Sequence, residues 1–184
     1  MKIYYVRHGQ TDWNLARKMQ GGETEKELNS TGIEQAKQTK KELENAKYDI
    51  VICSPMHRAI QTAEIINKDK NVQMITDERI RERKLGELEG HEITNEMARE
   101  EMEKKIWNYD LNYQIPKGEN LHDFEKRILD FLNDIKKKYE GKTVLIVAHG
   151  GVAKVLKAHL YGMPKSKNLS EIEIKNCEII ETEI

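Results

Sequence analysis

The sequence has little of several residue types, and each shortage excludes a class of protein. Its 184 residues include only two cysteines and three prolines, too few for a small disulfide-stapled domain or a proline-rich linker. The 31 lysines and arginines nearly balance 32 aspartates and glutamates, so the formal net charge is −1. Because a balanced charge gives no electrostatic reason to bind nucleic acid or an anionic membrane, neither is expected as a partner.

Long hydrophobic runs are also missing. The longest, Val144 to Ala148, is far short of the ~20 residues that a membrane span requires. The N-terminus reaches Arg7 and His8 without the apolar core and cleavage site of a signal peptide, so we expect a cytoplasmic protein. Cys53 and Cys177 lie in apolar stretches without CxxC spacing, which favours buried, reduced thiols.

Short apolar runs rich in β-branched residues alternate with longer stretches of helical periodicity. This alternation indicates an α/β fold, a three-layer sandwich whose mostly parallel central sheet is flanked by helices. The predicted strands are Ile3–Val6, Asp49–Cys53, Val72–Thr76, Thr143–Ala148 and a C-terminal pair within Glu171–Glu183. Helices are predicted from a capping box at Thr31 and Glu34, from Ser54 as cap with Pro55 at the first helical position, over roughly Leu121–Tyr139, and from near Gly151.

The segment from His91 to Gly118 has a different character. It is dense in glutamate and lysine and then turns aromatic at Trp107, Tyr109 and Tyr113. We interpret residues 91–118 as an insertion within a single domain that spans residues 1–184. Its aromatic side chains either line the mouth of a site or pin the insertion to the domain, and the second interpretation is favoured.

Side chains with useful chemistry follow the predicted strands. Arg7 and His8 follow the first strand, Arg58 comes soon after the second, Glu82 lies beyond the third and His149 follows the fourth. Because ligands of open α/β sheets bind at the carboxyl ends of the strands, these side chains are expected to converge. Arginines offer forked donors to phosphate oxygens and repel divalent cations, so the set favours phosphate over a metal.

The histidines in this set suit phosphoryl chemistry. An imidazole kept neutral, as His8 would have to be, can attack phosphorus through a ring nitrogen. Each histidine is followed by a glycine, Gly9 or Gly150, which lets the backbone pass close to a ligand. The amides of Gly150 and Gly151 would add hydrogen-bond donors at the start of a helix.

Five blocks of sequence occur in a familiar order. They are Val6-Arg7-His8-Gly9-Gln10-Thr11 with Asn14, Ser54 to Ala63, Arg81-Glu82 leading to Gly86 and Glu89-Gly90, Gly118-Glu119-Asn120, and Val147 to Gly151. Together they resemble the histidine phosphatase superfamily, also called the phosphoglycerate mutase-like family, over nearly the whole chain. The resemblance implies a phosphoglycerate mutase-like fold with a small helical insertion over the active site.

The resemblance also implies a role for each matching residue. His8 would be the nucleophile that becomes phosphorylated, Glu82 the proton donor, and Arg7, Arg58 and His149 the phosphate pocket. Four further residues are predicted to contact phosphate or substrate: Asn14, Gln20, Gly21 and Gly150.

We therefore predict a phosphomonoester hydrolase that acts on a small-molecule substrate through a phosphohistidine, with no metal and no cofactor. Phosphoglycerate mutase-type phosphoryl transfer is the alternative, disfavoured because the short chain lacks the long insertions of the glycolytic mutases. A non-catalytic module that binds phospho-ligands is less expected, since His8, Glu82 and His149 are all present. A metal-dependent hydrolase is disfavoured because the arginines would crowd a cation. The physiological substrate and the oligomeric state stay open.

Overall fold

A five-stranded sheet forms the centre of the computed structural model, which describes residues 1–92 and 95–184. Its strands are β1 (Lys2–Arg7), β2 (Ile50–Cys53), β3 (Met74–Thr76), β4 (Thr143–Ala148) and β5 (Ile179–Glu183). They lie in the order β3-β2-β4-β1-β5, and every neighbouring pair is parallel except β1 with β5. The predicted mostly parallel sheet is confirmed. Residues 93 and 94 of the predicted insertion lie outside the described residues.

Helices cover both faces of the sheet. The helices are α1 (Asp12–Leu15), α2 (Ser30–Glu42), α3 (His57–Asn67), α4 (Glu96–Ile106), α5 (Leu121–Lys138) and α6 (Gly150–Tyr161). One hydrophobic cluster joins α5 and α6 to one face of the sheet, and a second joins α3 and the end of α2 to the other. This packing confirms the predicted three-layer arrangement, in which the sheet lies between two layers of helices. None of the helices in the described chain is long and apolar enough to span a membrane.

The central strand β4 is the part of the sheet that the sequence predicts most clearly. Val144 to Ala148 are all fully buried, because β4 has a neighbour on each side and helices on both faces. A strand buried on both faces reads as an unbroken hydrophobic run rather than an alternating one. β4 accordingly begins and ends where it was predicted.

Two predicted helix starts are wrong. The N-cap of α2 is Asn29, whose side chain accepts a hydrogen bond from the Gly32 amide at 2.9 Å, so Thr31 lies inside the first turn. Asparagine and threonine are both favoured N-cap residues, and Asn29 lies only two positions before Thr31. The sequence alone therefore does not decide which of them caps the helix. α3 begins at His57 rather than at Pro55.

The predicted C-terminal strand pair is also wrong in part, because only β5 belongs to the sheet in the described chain. Residues 172–178, which follow the 3-10 turn Leu169–Glu171, form no strand. The carbonyl groups that follow are bound by cationic side chains: Lys154 Nζ donates to Ile172, and Arg7 Nη1 donates to Ile174 at 2.6 Å. These carbonyls are therefore satisfied without a neighbouring strand.

The described part of the predicted insertion is anchored to the domain by a buried arginine. Arg83 is fully buried, and its guanidinium donates to the carbonyl groups of Ile106, Tyr113 and Glu119. Trp107 packs edge-to-face on Phe124 in the core, with ring centroids 6.1 Å apart. These contacts hold the end of α4 and the residues after it against α5.

Candidate active site

The five side chains that follow the strands come together at the carboxyl end of the sheet. Arg58 Nε lies 3.2 Å from His8 Nε2, and the ring centroids of His8 and His149 are 5.2 Å apart. A Cβ at Gly150 would lie 3.4 Å from Nε of Arg7. Glu82 joins the group from the other side, through the start of α6.

His8 is held as a neutral imidazole with a defined proton position. Only 3% of its surface is exposed, and burial together with Arg58 and Arg7 holds its pKa well below the usual value. Its Nδ1 lies 2.7 Å from the carbonyl oxygen of Gly9. Because a carbonyl can only accept, the proton is on Nδ1 and Nε2 carries the lone pair. Nε2 accepts a hydrogen bond from Arg58 Nε.

Arg58 is a buried cation braced by backbone carbonyls. It donates from Nη1 to Thr24 at 3.1 Å and from Nη2 to Gly21 at 3.0 Å. With its amide oxygen toward Arg58, Gln20 accepts from Nε at 2.9 Å and from Nη1 at 3.1 Å. Burial lowers the pKa of Arg58 to about 10, so the side chain is still charged at neutral pH.

Arg7 is the second buried cation of the site. Its Nη1 donates to the carbonyl of Ile174 at 2.6 Å, and its Nε is buried without a partner among the described residues. Burial lowers its pKa. The nearby Asn14 caps the start of α1 together with Thr11 and also accepts from Asn176 Nδ2 at 3.4 Å.

Glu82 is fixed by two backbone amides. Its Oε2 accepts from the Gly151 amide at 3.0 Å and its Oε1 from the Arg83 amide at 2.9 Å. A Cβ at Gly151 would come within 2.2 Å of Glu82 Oε1, so only glycine allows the carboxylate to approach α6 this closely. The Gly151 amide was predicted to face a ligand, and the structure shows that it holds Glu82 instead.

His149 lies at the N-cap of α6 and is fully buried. Its Nε2 is 2.7 Å from the Ser54 hydroxyl oxygen, and its Nδ1 has no hydrogen-bond partner in the described chain. Burial, followed by the charges of Arg58 and its other neighbours, holds the pKa of His149 well below the usual value. Two neutral histidines therefore lie beside two arginines, a combination suited to an anion.

A pocket of about 420 Å³ opens onto this group. Of the residues predicted from the sequence, it is lined by Arg7, Asn14, Gln20, Glu82 and Gly150. The pocket lining does not include His8, Arg58 and His149, which are buried next to it, or Gly21, whose carbonyl accepts from Arg58. Across residues 1–92 and 95–184, no three or more His, Cys, Asp or Glu side chains group together as a metal site would require.

The pocket lining also contains residues that the sequence did not single out. They include four cationic side chains: Lys18, Arg99, Lys154 and Lys175. Trp107, one of the aromatic residues singled out in the sequence, lines the pocket as well as packing in the core. Arg99 and Trp107 belong to α4 and its C-terminal end, so the predicted helical insertion does cover the site. No motif marks these cations, and only the tertiary packing brings them together.

The two buried histidines predict an acid-sensitive fold. In the unfolded chain each takes up a proton near pH 6.5, whereas in the folded chain the pKa of each is lower and the ring stays neutral. The unfolded state then binds more protons, so stability is lost as the pH falls below about 6.5, by up to about 1.4 kcal/mol per pH unit for each histidine. Urea unfolding at pH 7.5, 6.5 and 5.5 measures this slope.

The matched variant for this measurement replaces both histidines with glutamine, and it should flatten the slope between pH 6.5 and 5.5. Carboxylates such as Asp77 and Glu178, whose pKa values are lowered in the fold, titrate below that window. A double variant with the slope of the parent protein would contradict the assignment.

Comparison with known proteins gives a consistent picture. A family model described as histidine phosphatase superfamily (branch 1) matches residues 3–184. The probable phosphoglycerate mutase GpmB of Proteus mirabilis is 33% identical over 180 residues, covering 97% of this chain and 83% of that protein. The uncharacterized phosphatase PhoE of Bacillus subtilis is 38% identical over 160 residues, covering 87% and 77%. The solved structure of Bacillus stearothermophilus YhfR matches with a TM-score of 0.87 and 31% identity, covering 100% of this chain and 91% of that one.

Proposed function

Because the chain belongs to the histidine phosphatase superfamily, we propose that it is a phosphomonoester hydrolase acting through a phosphohistidine at His8. One observation carries the proposal: His8 is buried and neutral, with its proton on Nδ1 and the lone pair of Nε2 directed toward Arg58. An imidazole in that state is a nucleophile beside a fixed positive charge. The substrate is a small phosphorylated molecule that enters through the pocket.

In the first half-reaction, Nε2 of His8 attacks phosphorus and the bond to the leaving oxygen breaks. As the phosphate enters, the Nε–H of Arg58 turns from His8 to a phosphate oxygen. Arg58 and Arg7 balance the negative charge of the phosphoryl oxygens, and His149 donates a hydrogen bond to them. Glu82, which lines the pocket, delivers a proton to the departing oxygen. The products are the alcohol and phosphohistidine.

In the second half-reaction, water attacks the phosphorus of the phosphohistidine. Glu82, now a carboxylate, accepts the proton from that water as the phosphorus–nitrogen bond breaks. Inorganic phosphate leaves, and His8 returns to its neutral form with the proton on Nδ1. The same carboxylate therefore serves as acid in one step and as base in the other.

Hydrolysis without a metal is the first test of the proposal. We expect phosphate release to continue undiminished in EDTA, because Arg7 and Arg58 supply the charge that Mg²⁺ supplies in other phosphoryl-transfer enzymes. The assay would cover sugar phosphates, nucleotides, phosphoglycerates and α-ribazole phosphate, each with EDTA and with Mg²⁺ restored. Activity that appears only when Mg²⁺ is added would contradict the proposal.

The mutase alternative is tested in the same samples. Relatives with both names match this chain, and PhoE, named a phosphatase, has the higher identity of the two. Measuring the isomerisation of 3-phosphoglycerate beside phosphate release separates the activities. Isomerisation faster than hydrolysis would identify a mutase, since the phosphoryl group would then return to a sugar-acid hydroxyl rather than to water.

A further inference from the structure

The buried hydroxyl of Ser54 has one acceptor within reach among the residues that the structure describes. Ser54 follows β2 and is completely buried. Its oxygen accepts a hydrogen bond from the Met56 amide at 3.4 Å and lies 2.7 Å from Nε2 of His149. In the described chain, no carbonyl or carboxylate oxygen accepts from this hydroxyl. Because a buried hydroxyl proton without an acceptor is costly, the proton of Ser54 points to His149 Nε2.

The proton position on His149 follows from this contact. If Nε2 accepts from Ser54, it carries no proton of its own. The ring is buried between cations and is neutral, so it has a single N–H, which is then on Nδ1. Nδ1 is also the ring nitrogen with no protein partner among the described residues. The anionic oxygens of a phosphate only accept hydrogen bonds, so a neutral histidine can bind them only through a protonated nitrogen.

The two histidines of the site thus have opposite proton placements. His8 faces a carbonyl with Nδ1, which leaves Nε2 bare, whereas His149 faces a hydroxyl with Nε2, which leaves Nδ1 protonated. We propose that Ser54 is a positioning residue that fixes the proton of His149 on Nδ1 and so makes this ring a hydrogen-bond donor to the phosphoryl group. The identity of that acceptor rests on the proposed function, whereas the proton position does not.

The proton position can be measured directly in the free protein. Two-bond ¹H–¹⁵N correlation spectra distinguish Nδ1–H from Nε2–H, and a His149→Gln variant assigns the signals. We expect the Nδ1–H form in the parent protein. A parent protein with the proton of His149 on Nε2 would overturn the proposal.

Replacement of the hydroxyl tests its role. Ser54→Ala should move the proton of His149 toward Nε2 and weaken inhibition by inorganic phosphate at least about tenfold. Ser54→Thr, which keeps the hydroxyl, should retain more phosphate affinity than the alanine variant. Tyr48→Phe is the matched control, because it removes a buried hydroxyl that lies in the second hydrophobic cluster, just before the amino end of β2 and so at the opposite edge of the sheet from the site. A Ser54→Ala protein in which the proton of His149 stays on Nδ1 and inorganic phosphate inhibits as strongly as before would refute the role of Ser54.

Titration with inorganic phosphate separates this inference from the proposed function. If both hold, the Nδ1–H signal of His149 shifts as phosphate binds. If the proton is on Nδ1 but phosphate leaves the signal unmoved, the proton assignment stands and the phosphate pocket is refuted.

Discussion

His8→Ala is expected to lower kcat by at least about 10⁴-fold, because it removes the ring proposed to form the covalent intermediate. The Arg58 guanidinium touches His8 at Nε2, the atom that would attack phosphorus. Removing the ring leaves the arginines in place, so phosphate binding should survive while turnover does not. Phosphate release in a preparation free of contaminating phosphatases gives the rate.

A second measurement identifies the covalent step. Labelled substrate quenched in alkali should leave label on the parent protein, since phosphohistidine survives alkali and is lost in acid. His8→Ala should trap none. His159→Ala is the matched control, because His159 is exposed near the C-terminal end of α6 and does not line the pocket. This variant should be labelled as the parent protein is. Label on the His8→Ala protein would place the nucleophile elsewhere.

The central sheet could be predicted because its signal is local. β4 is fully buried from Val144 to Ala148, whereas β1 is a short, largely apolar segment that ends on Arg7, and β2 is one that ends just before Ser54. Since parallel strands place their carboxyl ends together, the approximate location of Arg7, His8 and His149 followed from the strands alone. The C-terminal segment could not be predicted in this way, because its carbonyls bind Lys154 and Arg7 rather than a strand.

The finer structure of the site depends on contacts between distant residues. Lys154 and Arg99 line the pocket, yet neither belongs to a recognisable motif. The contact between Ser54 and His149 joins residues 95 positions apart, and the close packing of Gly151 against Glu82 joins residues 69 positions apart. Periodicity and spacing report local structure, so they predict which residues at the strand ends reach the site, but not the other residues that line it or the atoms that come into contact.

Glu82→Gln should separate the two roles proposed for this carboxylate. Glutamine has nearly the same shape and can still accept from Gly151, but it neither delivers nor accepts a proton at the reacting atoms. For an alkyl phosphate, whose leaving oxygen needs a proton, we expect hydrolysis to slow by about 10²–10⁴-fold. For p-nitrophenyl phosphate, the leaving group departs without a proton. Phosphorylation of His8 should therefore keep most of its rate, whereas hydrolysis of the phosphohistidine should slow.

The expected result is a burst of nitrophenolate equal to the enzyme concentration, followed by a slow steady rate as phosphohistidine accumulates. The alkyl substrate should give no burst, because its first step is the one impaired. Glu87→Gln provides the control, since Glu87 is exposed in the same loop and pairs with Lys117; this variant should show neither effect. Equal slowing of both substrates without a burst would mean that Glu82 does not transfer the proton. The difference between the two substrates, rather than the loss of rate alone, therefore identifies Glu82 as the acid.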